Sequence, residues 1–150
     1  RLNIMDFMTA LDIGSSALSA QRTHLNVISM NLANMKTTRT VNGGGPYQRK
    51  SVAFESTPVD SPFSKAMQSA QDRELAGVKV TGIVNDNRPF RMVYEPGHPD
   101  ADDRGYVAYP DINVVEEMAN MITTMRGYEA NAQSISTVKT MFNKALEIGK

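Results

Sequence analysis

Leucine returns every seventh residue near the N-terminus, at Leu11, Leu18, Leu25 and Leu32, and a second seven-spaced row, Val114, Met121, Tyr128, Ile135 and Phe142, fills the last quarter of the chain. A seven-residue period holds side chains on one narrow stripe of an α-helix, the geometry of coiled-coil packing rather than of a broad enzyme core. Both ends are therefore predicted to be helices that need lateral partners, and function is expected to lie in assembly. From about Asp6 to Met35 the leucines are joined by Ala17, Val27 and Ile28, while Gln21, Arg22 and Asn26 fall largely on the other side. At 1.5 Å per residue such a helix reaches about 45 Å, longer than a small domain requires. Gly14 interrupts it at a propensity cost of about 1 kcal/mol, which argues for a close backbone approach or a weak first turn.

The threonines at Thr37, Thr38 and Thr40, then Asn42 and the glycines up to Gly45 before Pro46, end this helix and open a flexible connector. Beyond it, Tyr47 to Glu55 and Gly77 to Val84 alternate apolar and polar residues, and Arg91 to Glu95 makes a possible third strand. Between the first two runs, Ser56 to Ala76 is polar and carries Pro58 and Pro62, the composition of a long exposed loop or a disordered segment. Glu95 to Pro110 is dense in turn formers and leads into the second helix, for which Asn113 with Glu116 offers a capping box. Along that helix Met118, Met125, Ala132, Lys139 and Leu146 form a row beside the first, broken only by Lys139, whose aliphatic stem can follow the stripe. The class expected is mainly α with a small β element.

Charge and composition exclude more than they specify. The 150 residues carry 16 basic and 16 acidic side chains, so no net field selects nucleic acid or an anionic membrane. Without cysteine there is no disulfide and no thiolate ligand for zinc. No run of apolar residues is long enough to span a bilayer, and the first residues lack the basic and apolar regions of a cleaved signal; Arg1 to Ile4 read as an upstream extension or a cloning remnant and are given no structural weight.

Candidate chemistry is thin. Asp100, Asp102, Gly105 and Asp111 fall near the positions of a calcium loop, but Arg104 sits at a ligand position and Pro96 and Pro99 preclude the entering helix, so a rigid polar turn is the better reading. His24 and His98 have no second ligand at helical spacing. The serines near Gly14 lack a nucleophile elbow, and the glycine run before Tyr47 lacks the glycine that precedes the lysine of a phosphate loop. The methionines of the last helix suit adaptable packing. No catalytic, cofactor or metal residue is nominated. The heptad rows leave two readings open, helices that pair only with each other in a monomer and helices that also bury themselves against neighbouring subunits; the ordering cost of two such long helices favours the second, with termini frayed in isolation.

Two stretches carry a resemblance. Ala10 to Thr38, with its core Asn31, Leu32, Ala33 and Asn34, resembles the N-terminal signature of bacterial flagellar axial proteins, and the closing helix, with Arg126 and the run Tyr128, Glu129, Ala130 and Asn131, resembles the C-terminal helix of the same family. Tyr94 to Met118 is similar to the junction of its proximal-rod members. The resemblance implies terminal helices, 1–37 and 110–150, paired as an antiparallel coiled coil that forms an inner rod domain, with 38–109 as an extended connector and a small β-rich outer domain. It also implies a torque-transmitting rod subunit around an export channel, exported through the flagellum-specific type III apparatus without a cleaved signal into the periplasm. Its partners would be other copies and the rod proteins FlgB, FlgF, FlgG and FliE. The assembly residues so implied are Leu11, Leu18, Leu25, Ile28, Leu32, Val114, Met118, Met121, Met125, Tyr128, Ile135, Phe142 and Leu146. A distal-rod or hook component is the alternative within the family, and a metal-binding module the alternative outside it.

Overall fold

Helix α1 covers Ile4–Ala33 and α2 covers Val114–Ile148, with four strands between them: β1 (Lys50–Pro58), β2 (Ala76–Asn85), β3 (Arg91–Tyr94) and β4 (Tyr106–Tyr109). The computed structural model describes residues 4–41, 44–58 and 75–148. Strands β1 and β2 form one two-stranded sheet, and β3 and β4 a second, antiparallel one, in the register Arg91 with Tyr109 through Tyr94 with Tyr106. Two long helices with a small antiparallel β region between them are thus the architecture expected. No described helix is long and apolar enough to cross a membrane.

The helix boundaries have local causes. Asn34 closes α1: its backbone N–H and its side-chain Nδ2 both donate to Met30 O, at 3.1 and 2.9 Å, and its Oδ1 accepts the Thr37 hydroxyl. The first two bonds satisfy the Met30 carbonyl, one of the last four that a helix end otherwise leaves open. At the start of α2 Asn113 Oδ1 accepts the N–H groups of Val115 and Glu116, at 3.0 and 3.4 Å, the oxygen half of the predicted capping box. The Glu116 carboxylate lies 3.9 Å from Arg88.

Three expectations change. The connector after α1 is a closed turn where it is described: Thr40 N–H donates to Gly45 O and Tyr47 N–H to Thr37 O, with Gly45 at φ +76°. Asn42 and Gly43 lie outside the described residues. The Glu95 to Pro110 segment is not all turn, because Tyr106–Tyr109 is β4; its alternation was hidden by the turn formers before it. Within Ser56 to Ala76, β1 runs on to Pro58 and β2 begins at Ala76, and 59–74 lie outside the described residues.

The turn joining β3 to β4 uses the acidic residues of the near-calcium loop. Asp102 Oδ1 accepts the N–H groups of Arg104 and Tyr106, at 2.9 and 2.8 Å, and Gly105 takes φ +82°. A Cβ at Gly105 would sit 2.9 Å from the Tyr94 ring, so glycine serves both the positive φ and the close approach. Asp100 accepts the Thr38 hydroxyl and the Arg39 guanidinium, and that hydroxyl, with the nearby Arg39 charge, holds its carboxyl below the usual range.

The chain divides into two compact units. One comprises Arg1–Thr23, Phe54–Thr81 and Met125–Lys150. Here Phe7 stacks on Phe142 with ring centroids 4.1 Å apart, a Cβ on Gly14 would meet Ile135 Cγ1 at 2.7 Å, and a Cβ on Gly127 would meet the Gln21 side chain at 3.1 Å. Numbers rise along α1 as they fall along α2, in steps of about seven, so these helical segments run antiparallel. Of the two readings of Gly14, a close approach or a weak first turn, the close approach is the one seen, with the Ile135 side chain against the glycine. Gln21, expected on the outer side, instead faces α2. Ser16 binds α1 to β2: its hydroxyl donates to Ile13 O at 2.7 Å and accepts the Val78 N–H at 3.2 Å.

The other unit comprises His24–Ala53 and Gly82–Thr124. Its core is Val27, Ile28, Tyr47 and Val107, with Asn31, Glu117 and Thr124 buried among them. Glu117, Val27, Val107 and Asn31 are the largest of the side chains with under 2 % exposure, so half of the deepest positions are polar.

Candidate functional site

Polar groups so deeply buried must be partnered or they cost stability, and here the partnering is complete. Asn31 sits two residues before the end of α1, its side chain aimed at the start of β1. Its Oδ1 accepts the Lys50 N–H at 2.9 Å and the Tyr47 hydroxyl at 3.0 Å; its Nδ2 donates to Lys50 O at 2.9 Å and to Glu117 Oε2 at 3.3 Å. The amide thus pairs with both main-chain groups of Lys50 as a neighbouring strand would. Glu117, in the first turn of α2, receives Arg49: Nε and Nη2 reach Oε1 at 2.8 and 2.7 Å. The remaining Arg49 nitrogen donates to Ser51 Oγ at 2.9 Å and Asp86 Oδ2 at 3.3 Å, and Asp86 also pairs with Arg88 at 3.0 Å. No buried side-chain polar atom among the described residues lacks a hydrogen-bond partner.

The electrostatics follow from that arrangement. Burial opposes the charge on Arg49, but its hydrogen bond to Glu117 and the carboxylates of Glu117 and Asp86 outweigh this and raise its pKa. Burial, then the Glu117 charge, raises the pKa of Tyr47. His24 stands one heptad before Asn31 and meets Thr124, one heptad after Glu117, with His24 Nδ1 3.3 Å from Thr124 Oγ1. The Thr124 hydroxyl also donates to Asn120 O at 2.7 Å. Burial lowers the His24 pKa; Glu117 opposes that shift and Arg49 adds to it.

The predicted assembly residues are distributed differently. Leu11, Leu18, Leu25 and Leu32 are half-buried, and Ile28 is buried. On α2, Met121, Ile135 and Phe142 are half-buried, whereas Val114, Met118, Met125, Tyr128 and Leu146 are exposed. Of the motif residues, Asn31 is buried, Asn34 and Asn131 half-buried, and Ala33, Glu129 and Ala130 exposed. The residues that apolar patterning passed over are Tyr47, Arg49, Glu117 and Thr124. Glu117 and Thr124 share a seven-spaced row with Asn131 and Val138, whose mixed chemistry apolar patterning does not single out. Nothing in the pattern marks Arg49. The architecture is that of an assembly module, with its polar groups spent on holding helices to strands. The described residues contain no group of three His, Asp or Glu side chains that could hold a metal ion.

Comparison with known proteins agrees with this class. Residues 11–39 match the family described as flagella basal body rod protein, and residues 103–148 match the flagellar basal body rod FlgEFG protein C-terminal family. Asn31 lies in the first of these segments and Glu117 in the second. Over nearly their whole length, three relatives named flagellar basal-body rod protein FlgC are similar to the chain. The protein of Borreliella burgdorferi is 40% identical over 96% of this chain and 98% of its own, and that of Bacillus subtilis 42% identical over 94% and 97%. That of Salmonella typhimurium is 38% identical over 97% of this chain and 100% of its own. The chain belongs to the FlgC family of flagellar basal-body rod proteins, structural subunits of the rod.

Proposed function

We propose that the chain is a proximal-rod subunit that assembles through its terminal helices into a torque-transmitting shaft around an export channel. In this reading 1–37 and 110–150 form an inner antiparallel coiled-coil domain and 38–109 an outer one. Partners are other copies and the rod proteins FlgB, FlgF, FlgG and FliE, and the subunit reaches the periplasm through the flagellar type III export apparatus. The observation that carries it is the row of apolar side chains left in water along the first turns of α2: Val115 at 76 % exposure, Met118 at 52 %, Ile122 at 52 % and Met125 at 48 %. Spaced by three and four residues, they form a second helical stripe beside the face that meets α1. The half-buried leucine row of α1 supports the same reading, since side chains packed on one flank only are suited to interdigitate with a neighbour and resist axial slip.

The test is complementation of a strain lacking this subunit. Met118→Asp with Met125→Asp, or Leu25→Asp, is expected to abolish rods beyond the membrane ring and motility. The methionine variant is expected to keep the circular dichroism spectrum of the parent, because its positions are exposed in the single chain. Normal rods from both variants would contradict the assignment.

A further inference from the structure

We infer that Glu117 and its receptors, Asn31 on α1 and Arg49 just before β1, form a register key that selects one axial alignment of the two helices in the unit His24–Ala53 and Gly82–Thr124, before any assembly. The need for a key follows from the repeat. Within this unit the seven-spaced apolar residues, Leu25 and Leu32 on α1 and Val114 and Met121 on α2, match themselves after a shift of seven, so they define a stripe without defining how far one helix slides along the other. Such a slip moves α2 by about 10 Å along its axis. The polar residues do not match themselves. Asn31 meets Glu117, and one heptad away His24 meets Thr124. After a slip Asn31 would face Thr124 or leave α2 altogether, and the Glu117 carboxylate, 1 % exposed, would lie beyond the reach of Arg49.

The receptor side is anchored independently of α2. Asn31 holds both main-chain groups of Lys50, and Arg49 is steadied by Ser51 and Asp86. Arg49 and Asn31 therefore form a fixed socket on one side, and Glu117 is the group that must find it. A buried ion pair is weak as a source of net stability, since an apolar replacement of both partners often does as well, but breaking it with one partner left buried is severe. That asymmetry is what selection of a register requires.

The absence of cysteine makes the register readable with introduced pairs. His24→Cys with Thr124→Cys reports the alignment described above, and His24→Cys with Asn131→Cys reports the alignment shifted by one heptad. In the full chain, disulfide formation is expected for the first pair and to be minor for the second. In the Arg49→Leu/Glu117→Leu background, where Asn31 still holds Lys50, the ratio of shifted to native cross-link is expected to rise about tenfold or more. An unchanged ratio would overturn the inference. Should the double leucine variant not fold, Glu117→Gln, which keeps the shape and loses the charge, carries the same comparison: a raised ratio is expected and an unchanged one overturns it. Neither readout depends on rod assembly, so failure here is distinguishable from failure of the proposed function.

Discussion

Asn31 shows how one side chain can join three elements. Its amide holds the entry to β1, the Tyr47 hydroxyl and the Glu117 carboxylate at once, so removing it leaves two main-chain groups and a phenol without partners in a buried setting. Asn31→Leu is expected to lower stability by about 2–4 kcal/mol in chemical denaturation, more than an ordinary buried hydrogen bond is worth, because several groups are orphaned together. His24 supplies a pH response. Its pKa is lowered in the folded chain, chiefly by burial, so between that lowered value and 6.5 the unfolded chain binds the proton and the folded one does not. Stability is therefore fully present above pH 6.5 and is lost as pH falls through the folded pKa. Glu117 and Arg49 face the imidazole with opposite effects, and burial decides the sign. Denaturation midpoints measured across this window should fall on acidification in the parent and fall less in His24→Gln. The motif asparagine was legible in the sequence through family likeness alone; that it is buried and spends both ends of its amide is a property of the fold.

At the scale of elements, the helices were legible because period and length speak together. Leucine at every seventh position and an asparagine cap marked α1 and α2 to within a few residues. Strand β4 was missed because four residues between a turn and a proline give alternation too little room to register. Gly14 carries a sharper lesson, since a glycine inside a helix is unfavourable unless something occupies the place of its Cβ. Here that occupant is Ile135, whose Cγ1 would lie 2.7 Å from it. Gly14→Ala should therefore gain little or lose stability, the propensity gain of about 1 kcal/mol being offset by overpacking of about 1–3 kcal/mol. In an Ile135→Ala background the same substitution should stabilise. A double-mutant cycle by thermal denaturation is expected to give a coupling of about 1 kcal/mol or more, and additivity would show that the two residues do not meet.

For the whole molecule, the small apolar core and the exposed stripe of α2 have one consequence in common. Among the described residues half of the deepest positions are polar, and Met118, Ile122 and Met125 lie in water, which leaves apolar surface for a neighbouring subunit to bury. Helix content of the purified chain is expected to rise with protein concentration, and full helix content in dilute monomer would count against helices that firm up on assembly. Composition and period by themselves determined that the protein is two long helices around a short β region, and likeness to a family, read from the same residues, made it a rod subunit. Those features are local or repeat along the chain, so a one-dimensional pattern carries them. Only the tertiary structure decided which polar residues the core contains. Tyr47 and Arg49 come from the stretch before β1, Asn31 from α1 and Glu117 from α2, and a buried charge is tolerable only where distant donors converge on it, a condition that no spacing along the chain can express.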